Sequence, residues 1–177
     1  MKYLLVLLMV IIDLPLFAQS PEYQQKKTEK LAKDSPFTKV INRELPASIV
    51  YEDDDVIAFA PLRKQAPVHY LIVPKKRIPA INDLEESDAM VVGKMHLIAK
   101  QLAVENGIVE TGYRLSINTN EDSGQSVFHL HMHLLGGMKL GPMVKQGYKE
   151  LNVCYLLINQ LSFSYISILH LKVRKEH

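Results

Sequence analysis

The stretch Gln125-Ser-Val-Phe-His-Leu-His-Met-His-Leu-Leu-Gly-Gly137 sets three of the chain's seven histidines, His129, His131 and His133, at every second position of an apolar run. Strand side chains alternate between faces. A strand over residues 127–135 therefore puts the three imidazoles on one face and Phe128, Leu130, Met132 and Leu134 on the other. The apolar face is core. A purely structural imidazole face would need a partner for every buried ring nitrogen.

Two chemistries compete with that structural reading. His-x-His on a strand is a common ligand pair, and neutral imidazole suits zinc. With a rise of about 3.3 Å per residue, however, the outer histidines stand roughly 13 Å apart at their backbones, too far for all three to hold one ion. A two-histidine site needs further ligands, and the sequence supplies neither a cysteine pair nor a His-Glu-x-x-His motif. The other chemistry is attack of a neutral imidazole on phosphorus, with neighbouring rings orienting it and sharing the proton. Asn118 and the loop Ser123-Gly-Gln-Ser126 support it, because an amide and backbone N–H groups in a small polar loop can approach phosphate oxygens.

Outward from this row, Tyr113-Arg-Leu-Ser-Ile-Asn-Thr119 reads as a strand, joined to the histidines by the polar loop 120–126. Ile49-Val-Tyr51 and Val56-Ile-Ala-Phe59 flank the acidic turn Glu52-Asp-Asp-Asp55 as a hairpin, with the aspartates read as solvated. His69-Tyr-Leu-Ile-Val73 is a strand between Pro67 and Pro74. Val91, Met95, Ile98 and Leu102 mark one long helix over 83–106, acidic at its start and followed by Gly107, with His96 an ordinary residue on it. A short helix or turn follows Ser35 and ends by Pro46, and the Lys-rich residues 19–34 read as a solvated leader or short surface helix. Five strands, one long helix and a short N-terminal helix make an α+β domain with a mainly antiparallel sheet.

With 177 residues, 47% of them hydrophobic, the chain holds one domain with a real core. A net charge of +2 and a charged fraction of 23% give no concentrated basic face, so nucleic acid is not an expected partner. Residues 1–18, with Lys2, an apolar run from Leu4 to Ile12 and Pro15 before Leu-Phe-Ala18, read as a signal peptide cleaved near Ala18. That implies a periplasmic or secreted protein, and a cytoplasmic one if the segment is an anchoring or buried helix instead. The run is short for a membrane span, and none is expected after cleavage. Cys154 is the single cysteine, so no intramolecular disulfide forms. Residues 148–177 sustain neither period and read as a C-terminal extension of unknown structure. The domain itself is expected over 35–147.

The stretch QSVFHLHMHLLGG resembles the signature of the histidine triad (HIT) family, His-φ-His-φ-His-φ-φ with φ apolar. SPFTKVINRELPASIVYEDDDVIAF, QAPVHYLIVPKKRI and GYRLSINTNEDSGQSVFHLHMHLLGG resemble consecutive blocks of its Hint branch, from about Ser35 to Pro142. The resemblance implies a HIT-like fold whose dimer pairs two sheets into one of ten strands through the long helix and sheet edge. It implies a nucleoside phosphoramidase-like hydrolase acting on a purine nucleotide or nucleoside phosphoramidate, with no metal or other cofactor. His131 would be the nucleophile forming a nucleotidyl-histidine, His133 would contact phosphate or leaving group, His129 would fix the network, and His69 matches the family's fourth histidine. Asn118, Gly124, Gln125 and Ser126 match ribose- and phosphate-side positions, Ser126 also facing the leaving amine. Phe37, Val40 and Leu62 match the purine pocket. A binding module of the same fold with little turnover, and a two-histidine metal protein, are the alternatives.

The chain departs from the family's pattern at three places, the last two of which bear on substrate. Ser35-Pro-Phe-Thr38 stands where several relatives carry Cys-x-x-Cys as half of a structural zinc site. Pro61 stands where the branch typically has an aspartate that holds the ribose hydroxyls, and proline has no side-chain acceptor. Arg63 and Lys64 add two cations to the same loop, either solvated or positioned for a more anionic substrate.

Overall fold

The chain twice places Ser-Pro at the start of a helix, and both serines cap. In the computed structural model, which describes residues 19–143, Ser20 Oγ accepts the Tyr23 N–H at 3.2 Å to open α1 (Pro21–Leu31). Ser35 Oγ accepts the Thr38 N–H at 2.9 Å to open α2 (Pro36–Ile41). The serine oxygen satisfies an orphan donor, and proline fits the first helical position because it has no N–H to leave unpaired. The signal-like residues 1–18, the C-terminal extension and Cys154 lie outside the described residues.

Five strands follow: β1 (Ser48–Glu52), β2 (Val56–Ala60), β3 (Val68–Pro74), β4 (Tyr113–Ser116) and β5 (Met132–Gly136). They form one antiparallel sheet in the order β1-β2-β3-β5-β4. The central strands are covered on both faces, which is why β2 and β3 read as continuous apolar runs. One face, with Val56, Ala58, Ile72, Leu130, Met132 and Leu134, packs on Met95, Ile98 and Leu102 of α3 (Ala89–Glu105). The other, with Ile57, Phe59, Leu71 and Val73, packs on Phe37 and Val40 of α2. At the end of β5 the chain passes so close to Ile108 that a Cβ on Gly136 would stand 2.6 Å from Ile108 Cδ1.

Three local expectations are corrected. The long helix begins at Ala89, because 81–83 and 86–88 form separate 3-10 turns. Glu85 and Asp88 close a capping box there, and the Asp88 carboxylate also takes the Lys76 ammonium at 2.6 Å. Regular β5 begins at Met132, since Leu130 N–H bonds Ile78 O at 2.6 Å and the His129 ring bonds Pro74 O, drawing 129–130 off the ladder. The acidic turn is also tied down. Asp53 Oδ1 accepts the N–H groups of Asp55 (2.9 Å) and Val56 (2.8 Å), and Lys94 of α3 pairs with both Asp53 and Asp55.

Candidate active site

The ladder pairs Leu71 of β3 with His133 of β5 and His69 with Leu135, so His69 and His133 project from the sheet face that α2 covers. Phe37 of α2 meets the His131 ring edge-on at 5.0 Å between centroids. The rings of His131 and His133 are 5.1 Å apart, and those of His69 and His133 are 5.3 Å apart. The four histidines named from sequence thus come together, although His129 and His131 precede the strand rather than ride on it.

Fixed backbone groups determine which ring nitrogens carry hydrogen. His131 Nδ1 lies 2.8 Å from the carbonyl oxygen of His129. A carbonyl only accepts, so Nδ1 is the N–H and Nε2 keeps its lone pair. The Gln65 backbone N–H donates to His69 Nδ1 at 3.1 Å, which makes His69 Nε2 the N–H that donates to His133 Nδ1 at 3.0 Å. His133 consequently carries its remaining hydrogen on Nε2. In His129, Nε2–H donates to Pro74 O at 2.8 Å, and Nδ1 accepts from Ser35 Oγ at 3.0 Å. The Thr38 hydroxyl, 2.9 Å from Ser35 Oγ, completes this buried chain. Both nitrogens of His129 are spoken for, so its part is to hold the carbonyl that orients His131.

Burial depresses the pKa of all four rings. His129 falls to about 4 through desolvation, with the charges of Arg77 and His131 adding to it against the bond to Pro74. His133 falls to about 4 through desolvation and then the neighbouring His131 and His69. His131 is lowered by desolvation, and His69 by desolvation and then by Lys64. Neutral imidazoles at pH 7 are what a nitrogen nucleophile requires.

Beside the histidines lies a cleft of about 750 Å³, lined by Phe37, Val40, Phe59, Leu71 and, toward its mouth, Pro61, Leu62 and Lys64. The three residues expected in a purine pocket therefore share one apolar cleft, with Leu62 fully exposed at its rim. Arg63 is not among its lining residues.

The phosphate-side loop differs from expectation. The N–H groups of Gly124 and Gln125 bond Glu121 O (2.8 Å) and Asn120 O (3.1 Å), so they are not available to a ligand. The buried Gln125 amide donates to Pro79 O at 2.7 Å and accepts from Asn120 N–H at 2.9 Å, which makes it a brace of the loop. Ser126 is exposed, and its carbonyl takes the Lys30 ammonium of α1 at 2.9 Å. Asn118 is half-buried two residues beyond the last β4–β5 pair, Ser116 with His133. Its amide has no hydrogen-bond partner among the described residues. Among those residues no group of three His, Cys, Asp or Glu side chains is arranged to hold a metal.

Two contributors escaped sequence reasoning. Gln65 acts through its main-chain N–H, which no residue type advertises. Ser35 precedes the expected short helix, but nothing in the sequence marks it as the partner of His129, 94 positions away.

The model of the HIT domain family matches residues 42–140. Over 114 residues the chain is 48% identical to a purine nucleoside phosphoramidase of Escherichia coli K12, covering 64% of this chain and 96% of that protein. Among solved structures, a HIT family hydrolase of Clostridium thermocellum has 45% identity and a TM-score of 0.61, covering 64% of this chain and 98% of that one. A HIT family hydrolase of Legionella pneumophila has 44% identity and a TM-score of 0.60, covering 61% and 96%. With a matched domain, a shared sheet and the histidine row in place, this chain belongs to the histidine triad family.

Proposed function

We propose that the protein is a nucleotidyl hydrolase cleaving the P–N bond of purine nucleoside phosphoramidates, or a related bond at the α-phosphate. One observation carries this reading: the hydrogen-bond pattern leaves a lone pair on His131 Nε2 and an N–H on His133 Nε2, on rings 5.1 Å apart beside an apolar cleft. His131 Nε2 attacks the α-phosphorus, and the P–N electron pair departs with the amine nitrogen, which takes a solvent proton by way of His133. His133 Nε2–H also bonds the developing phosphoryl charge. Water then attacks the phosphorus of the nucleotidyl-histidine, releases nucleoside monophosphate and loses a proton. The two steps sum to phosphoramidate plus water giving nucleotide plus amine. Asn118 and the Ser126 hydroxyl flank the phosphoryl group.

Intact-protein mass spectrometry with a slowly hydrolysed adenosine phosphoramidate tests this reading. A nucleotidyl adduct that His131→Ala abolishes is expected. Purine binding without adduct or turnover would leave a binding module, and activity lost to chelation and restored by an added ion would favour the metal reading.

Two further parts of the reading concern assembly and location. Met90, Leu97 and Val104 recur every seven residues along α3 and are 84%, 68% and 59% exposed, an apolar stripe suited to a second copy. The reading makes this stripe, with the β4 edge, the face of a homodimer, and Leu97→Glu should shift sedimentation equilibrium to monomer. An exported protein cleaved after Ala18 would begin at Gln19 and retain Ser20, the cap of α1. N-terminal sequencing of the mature protein tests that.

A further inference from the structure

The cleft beside the histidines has an unusual complement of polar groups. Among the described residues that line it, only Ser48 and Lys64 carry a polar side chain, and Lys64 alone is charged. Among the described residues no carboxylate or side-chain amide lines it, so vicinal ribose hydroxyls, which are best held by a carboxylate that accepts from both, find none there. Pro61 offers nothing in that role. Lys64 does the reverse: an ammonium has three donors and no acceptor, and it selects an anion. It has no ion-pair or hydrogen-bond partner among the described residues. The next residue, Gln65, donates its backbone N–H to His69 Nδ1 at 3.1 Å, which places Lys64 at the histidine end of the cleft mouth.

We propose that Lys64 is a specificity-determining residue and that the cleft takes a nucleotide carrying a phosphomonoester on its ribose, at the 2′ or 3′ oxygen. The inference rests on the nucleotidyl hydrolase reading and sharpens its substrate class. The underlying exchange is general: a carboxylate recognises a free ribose diol, and a cation in its place accommodates a ribose phosphate. Arg63, the neighbouring cation, lies outside the cleft lining and takes no part. Ser126, which the family resemblance sets beside the leaving amine, does not line this cleft, so an acidic leaving group is a poorer match for Lys64.

Calorimetric titration of the full chain with AMP, adenosine 2′,5′-bisphosphate and adenosine 3′,5′-bisphosphate tests the proposal. One of the two bisphosphates should bind about tenfold more tightly than AMP, the scale of one charge-assisted hydrogen bond. Lys64→Gln should erase that ratio and Lys64→Arg should keep it. Equal affinities for all three ligands, with AMP still bound, would overturn the ribose-phosphate assignment and leave the hydrolase reading intact. A Lys64→Gln loss that is the same for AMP and the bisphosphates would also overturn it, since the lysine would then hold the shared 5′-phosphate. Failure of every ligand to bind would remove the nucleotide reading and this inference with it.

Discussion

His69 Nε2 donates to His133 Nδ1 across 3.0 Å, and the direction of that bond is set outside both rings by the Gln65 backbone N–H. His69 is therefore a positioning residue that keeps the outward hydrogen of His133 on Nε2. His69→Ala should lower kcat on the order of 10²-fold, the low end of what a misplaced proton donor costs, with little change in KM. Steady-state kinetics check this, and a loss confined to KM would contradict it. The pH dependence of kcat should also change, which a purely structural role would not require.

Ser35 links the cap of α2 to the ring of His129. Ser35→Ala removes the acceptor for Thr38 N–H and leaves His129 Nδ1 buried without a donor, so it should destabilise the fold by about 1–3 kcal/mol. Thr38→Ala removes only the outer hydroxyl and should cost less. Urea unfolding of both variants gives the comparison. Ser35→Ala should also slow adduct formation, because His129 carries the carbonyl that orients His131.

The depressed histidines predict two pH effects. In the unfolded chain these rings take up protons near 6.5, whereas in the folded protein His129 and His133 do so only near 4. The unfolded state thus binds more protons between those values, so the stability they contribute is full above about 6.5 and falls as pH drops toward 4. Thermal unfolding from pH 7.5 to 4 should show that decline. In kcat/KM the acid limb governed by His131 should lie below 6.5, and a limb at or above 6.5 would contradict its neutral burial.

Lys94 fastens α3 to the β1–β2 turn through Asp53 and Asp55. Burial opposes ionisation of Asp53, but Lys94 and the N–H groups of Asp55 and Val56 outweigh it and hold the carboxyl well below the usual range. Lys94→Met should cost little, because an exposed ion pair is screened by solvent. Asp53→Ala should cost more, about 1–3 kcal/mol, because two turn N–H groups lose their acceptor as well. Denaturant midpoints of the two variants order the effects.

Periodicity and punctuation in the sequence were enough to place the elements. The hairpin around Asp53–Asp55, the run His69–Val73 and the apolar stripe of α3 all formed where alternation and helical spacing put them. The start of α3 was misread because acidic residues at 85–88 suit both a helix and the 3-10 turns that precede it. The start of β5 was misread because alternation continues through 129–131 while tertiary bonds to Pro74 and Ile78 pull the backbone away. The triple aspartate reads as solvated because Lys94, the partner of Asp53 and Asp55, is remote in sequence.

By itself the sequence determined the α+β fold and the histidine row, since these follow from local pattern and residue type, and its resemblance to the family pointed to the apolar residues of the cleft. Only the tertiary structure decided what each imidazole does. The hydrogen on a histidine is placed by whatever lies opposite its nitrogens. For His129 these are the Pro74 carbonyl and the Ser35 hydroxyl, and for His133 the ring of His69 that Gln65 sets, all brought from elsewhere in the chain. The local carbonyl that orients His131 is held in place by that same buried His129.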